Sequence, residues 1–70
     1  MAGNMEQLNS RIAKSGIKKK YIAETLGLNP KTLRFKLIGK TQFLPTEIEK
    51  LAGLLGLTDK EVLHIFFPQL

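Results

Sequence analysis

Apolar residues recur at helical spacing along most of the chain, and no run alternates apolar with polar long enough to read as a strand. Glycine and proline divide this pattern into five short helices. The first is expected from about Asn4 to Ser15. Met5, Leu8 and Ile12 share a face, Asn4 can cap the start, and Gly16 ends it. The second runs from about Lys18 to Leu26, with Ile22, Ala23 and Leu26 as its buried side and Gly27 behind it. The third runs from about Pro30 to Ile38. Asn29 is a good N-cap, Pro30 suits the first helical position, and Gly39 can turn left-handed beyond the end. The fourth spans Pro45 or Thr46 to Leu55. Thr46-x-x-Glu49 reads as a capping box, and Pro45 at the first position is an equal alternative. Ile48, Leu51, Leu54 and Leu55 face inward and Gly56 stops the helix. The fifth starts on a capping box, Thr58-x-x-Glu61, with Leu57 and Val62 spaced as a hydrophobic staple. It reaches about Phe66, and Pro68 prevents extension. The expectation is one all-α domain over residues 1–70.

Residues 18–38 carry a finer pattern. In a helix-turn-helix, the second helix lies in the major groove of DNA while the first braces it across the backbone. The two axes approach closely, so a small residue is needed where they cross, and Ala23 supplies it. The sharp turn needs positive φ, which Gly27 adopts without a Cβ clash. Leu26, Leu28 and Leu33 are the apolar residues that flank the turn and recur on the following helix.

Charge sharpens this picture. The chain has 70 residues and a formal net charge of +5. Seven of its 11 basic residues, Lys18, Lys19, Lys20, Lys31, Arg34, Lys36 and Lys40, fall between positions 17 and 40, where Glu24 is the one acid. Three of these lysines crowd the positive end of the second helix, and no good capping residue stands there. For stability alone that is the wrong sign, by about 0.3–1 kcal/mol per charge. It makes sense if a phosphate docks on those amides and ammoniums. A polyanionic partner is therefore expected.

Other classes are not expected. There is no cysteine, hence no disulfide or thiolate site, which suits the cytoplasm. No apolar run approaches the ~20 residues of a membrane helix. The start, Met1 to Glu6, lacks a basic n-region and an apolar h-region, so no signal peptide is expected. No nucleophile triad, metal spacing or Gly-rich phosphate loop is present, so neither enzyme activity nor a cofactor or metal is expected. His64 stands apart from any cluster of acids and reads as a surface or packing residue. Glu47, Glu49, Asp59 and Glu61 read as helix-start acids.

The segment I-A-E-T-L-G-L-N-P-K-T-L from Ile22 to Leu33, followed by K-L-I-G-K from Lys36 to Lys40, resembles the Cro/CI-type helix-turn-helix proteins of phages and related bacterial regulators. F-L-P-T-E-I from Phe43 to Ile48 and I-F-F from Ile65 to Phe67 resemble small phage members, so the likeness covers roughly residues 5–67. The resemblance implies a compact five-helix domain that binds operator DNA, often as a dimer, in a bacterial or phage-infected cell. The chain departs from the family in carrying Lys where Gln is common near the start of the second helix. Pro30 also removes an N–H, and Lys36 stands where many members bury an aliphatic residue. The stem of Lys36 is expected to pack while its ammonium reaches water.

By position, the resemblance places Lys18 and Lys19 at the family's phosphate clamp. It places Asn29, Pro30, Lys31 and Thr32 at the start of the recognition helix, about residues 30–38, and Arg34 and Phe35 on its groove-facing side. The phosphate set is then Lys18, Lys19, Lys20, Asn29, Lys36 and Lys40. The base-reading set is Lys31, Thr32, Arg34 and Phe35. Arg34 is the best reader, because its planar fork can pair with guanine O6 and N7. An alternative is a protein-interaction module on the same fold, which would bind a partner repressor through the recognition-helix face. Phe35, Ile38, Phe67 and Leu70 are the candidate protein interface. The apolar end, residues 58–70, suits a homodimer seam, with Phe66 chosen to complete the core.

Overall fold

In the computed structural model, which describes residues 4–68, every expected helix forms: α1 (Met5–Ser15), α2 (Lys19–Leu26), α3 (Pro30–Leu37), α4 (Pro45–Leu55) and α5 (Asp59–Phe66). There is no strand among the described residues. Each helix contributes one fully buried aliphatic side chain to a common core: Leu8, Ile22, Leu33, Leu51 and Ile65. The remaining apolar stripe residues close around these five, so the 3.6-residue period is what assembles the core. None of the helices is long and apolar enough to cross a membrane.

The helix starts follow local chemistry. Asn4 Oδ1 accepts from Gln7 N at 3.1 Å, and Asn29 Oδ1 accepts from Thr32 N at 2.8 Å. At α5, Thr58 Oγ1 accepts from Glu61 N at 3.1 Å while Thr58 N donates to Glu61 Oε1 at 3.0 Å, which is the expected reciprocal box. At α4 the alternative start, with Pro45 at the first position, is the one that forms, and the Thr46–Glu49 box does not. Pro45 takes the first helical position, Leu44 becomes the cap, and Leu44 N donates to Glu47 Oε1 at 2.9 Å. The proline ring fixes φ at the first helical position, so the helix starts two residues before the Thr46 start and Glu47, not Glu49, accepts from the cap amide.

Two further expectations change. Ile65, not Phe66, is the fully buried residue of the closing segment. Phe66 packs at the core margin with its ring edge-on to Phe43, at 5.6 Å between centroids. Lys36 does not send its ammonium to water. It is 8% exposed, and Nζ donates to Glu47 Oε1 at 2.8 Å and to the Gln42 carbonyl at 3.0 Å. A buried ammonium needs a paired carboxylate, and Glu47, 6% exposed, stands across from it on α4. The phosphate role expected of Lys36 is therefore corrected to an internal one.

The turn between α2 and α3 is set by Gly27, at φ 73°. Gly27 N donates to the Glu24 carbonyl at 3.1 Å and Leu28 N to the Ala23 carbonyl at 2.8 Å, the paired bonds of a Schellman ending. Ala23 is buried, as the close approach of the helices requires. A Cβ on Gly27 would meet nothing within 4 Å, so only the backbone objects to a side chain there. Gly27→Ala is expected to lower stability by about 1–2 kcal/mol, the cost of a left-handed L-residue. Thermal melts would check this, and Gly27→Asn should lose less.

Candidate nucleic-acid interface

Two elements bring three of the basic residues together. The first turn of α2 brings Lys19 and Lys20, and α3 brings Arg34, to the rim of a groove of about 330 Å³. Pro30, Leu33 and Leu37 of α3, Ile38 just beyond it and Asn9 of α1 complete its lining. Lys18, Lys19, Lys20, Lys31, Arg34 and Lys40 are all exposed. Arg34 also borders a second hollow, of about 300 Å³, with Pro30 and Lys31.

At α2 and α4 the cap residue makes no side-chain capping bond; at α4 Glu47 accepts from the cap amide, whereas no such bond forms at the start of α2. Lys18 occupies its cap position and makes no side-chain capping bond. The amides of its first turn thus lie open beside three ammoniums. Such an end attracts an anion through both its partial charge and its donors.

The remaining expected site residues fall as follows. Asn29 is exposed, with its Oδ1 engaged by Thr32 N. Thr32 is half-buried. Phe35 is half-buried rather than fully presented, and Lys31 Nζ lies 5.8 Å and Lys40 Nζ 4.9 Å from its ring centroid. Ile38 is 65% exposed and lines the groove. Phe67 is 43% exposed, far along the chain on the C-terminal segment. Leu70 lies outside the described residues.

Two residues that support the site were not expected. Asn9 Nδ2 donates to the Met5 carbonyl at 2.8 Å and to the Leu37 carbonyl at 2.9 Å, tying α1 to the end of α3. Its only signal in the sequence is an amide beside an apolar stripe. Glu47 acts at a distance through Lys36. Burial pushes its carboxyl pKa up. The hydrogen bonds from Lys36 Nζ and Leu44 N, with the charges of Lys36 and Lys50, outweigh this and hold it below the ordinary range. Glu61 is also held low, by the Thr58 amide and by its ion pair with Arg11.

No family model, curated protein or solved structure matches this chain.

Proposed function

We propose that the chain is a sequence-specific DNA-binding transcriptional regulator, with α2 and α3 acting as a helix-turn-helix of Cro/CI type. One observation carries this reading: an open, lysine-ringed helix start faces Arg34 across a groove on α3. In the proposed complex α3 enters the major groove and the start of α2 takes a phosphate on its free amides. Lys18, Lys19, Lys20 and Lys40 grip the flanking backbone. Lys31 and Thr32 lie near the entering end of α3, and Arg34 reads a base edge. The exposed Leu63 and Phe67 offer apolar surface through which two copies would join on a roughly palindromic site.

Phosphate contact has a salt signature. With about four to six phosphates held per monomer, log K is expected to fall against log salt with a slope of about −4 to −5. Lys19→Ala should lessen that slope by about 0.9 and weaken binding to every duplex alike. Titrations at several salt concentrations would check both. A flat dependence in the parent protein would remove the phosphate-binding face from the account.

A second reading rests on the apolar lining of the groove and on Ile38. A partner protein, such as a repressor, with an acidic rim around apolar side chains would complement that surface. In that reading Ile38→Ala abolishes partner binding and leaves salt-sensitive duplex binding intact. Loss of duplex binding with the partner retained would count against it.

A further inference from the structure

We infer that Phe35 is a positioning residue, whose ring holds the ammoniums of Lys31 and Lys40 together as a clamp for one stretch of phosphate backbone. This rests on the nucleic-acid reading, but the placement comes from backbone geometry. Lys31 stands four residues before Phe35 on α3, so the two side chains share a face. Lys40 is beyond the helix. Gly39, at φ 82°, closes α3 with a Schellman ending: Gly39 N donates to the Lys36 carbonyl at 3.1 Å, and Lys40 N to the Phe35 carbonyl at 2.9 Å. That motif brings the side chain just past the glycine against the one five positions earlier, commonly as an apolar contact. Here the pair is a lysine and a phenylalanine, and the contact becomes an ammonium 4.9 Å from a ring centroid. The rest of the loop is pinned by the bond from Lys36 Nζ to the Gln42 carbonyl.

Each ammonium is attracted to the negative face of the same ring. A phosphate would supply the counter-charge that, among the described residues, both ammoniums lack. Their separation cannot exceed the sum of their two distances to the ring, so both can reach one stretch of a single strand. Phe35 does not line the groove that Ile38 lines. The clamp therefore lies beside the apolar lining, not within it. This assigns Phe35 to the phosphate grip rather than to base reading.

Phe35→Leu keeps apolar bulk and removes the ring. Against a mixed duplex pool, its salt slope is expected to fall by about 1–2 relative to the parent protein, with base preference unchanged. Phe35→Tyr should restore the slope. In the free protein, the ε-methylene protons of Lys31 and Lys40 should resonate upfield from ring current and lose that shift in Phe35→Leu. An unchanged slope in a folded Phe35→Leu protein would overturn the clamp. So would a loss confined to one base position, which would make Phe35 a reader of a thymine methyl, or unshifted lysine resonances in the parent. If Phe35→Leu does not fold, the parent's lysine shifts and the slope of Lys40→Ala, lower by about 0.9, decide the matter. Failure of the parent to bind any duplex would instead overturn the nucleic-acid reading itself.

Discussion

Glu47→Ala is expected to destabilise the protein by about 3–5 kcal/mol, because it leaves the Lys36 ammonium buried without a counter-charge. The same change frees the Leu44 amide at the start of α4. For a domain of this size each kcal/mol is worth about 4–8 °C in Tm, so melting should fall by at least about 12 °C. Total stability for such a chain is about 0.05–0.15 kcal/mol per residue, so this one change can remove most of it. The double variant Lys36→Met with Glu47→Gln removes both charges and keeps an acceptor for Leu44 N. It should recover most of the loss, since a buried pair exchanged for uncharged groups is often neutral. Acid should act on the same pair. Glu47 has a folded pKa below its unfolded one, so its contribution is present above about 4.3 and is lost as pH falls through the lower folded value. Glu61 shifts the same way, so the double variant should keep part of that acid sensitivity. Melting curves at neutral pH and near pH 3 would check these signs. A Glu47→Ala protein melting within a few degrees of the parent would mean that the Lys36 ammonium reaches water.

Arg34→Ala should leave the fold alone and strike at recognition. Arg34 is exposed, and exposed substitutions of this kind stay within about 0.5 kcal/mol in stability. Binding to the preferred site is expected to weaken by about 1–3 kcal/mol, with discrimination lost at one base position and retained at the others. Arg34→Lys should not restore that discrimination, because a lysine cannot form the two-pronged contact of a guanidinium. A panel of duplexes, each changed at one position, would read this directly. Equal weakening on all of them would make Arg34 a phosphate contact.

Most of the fold was legible in the sequence because it rests on local rules. Asn4, Asn29 and Thr58 cap where their side chains allow, and Gly16, Gly27 and Gly56 end helices left-handed. The shift at Pro45 shows two local signals competing, with the fixed φ of proline prevailing over a Thr-x-x-Glu pattern. What could not be read was long-range. Nothing near Lys36 in the sequence says that Glu47, eleven positions on, will meet its ammonium. Nor does α1 announce that Asn9 will hold the end of α3. The site was legible as a charge cluster and a small-residue turn. Its partition was not: which lysines face outward, which one is internal, and which two share a ring all depend on how α3 leads into the loop.

Selection from a randomised duplex pool at about 150 mM salt, followed by sequencing, tests the central claim most directly. Enrichment of a motif is expected, with two half-sites about one helical turn apart if two copies join. Weak, salt-sensitive binding to every duplex without enrichment would contradict it, leaving a basic surface that grips phosphate and reads no sequence.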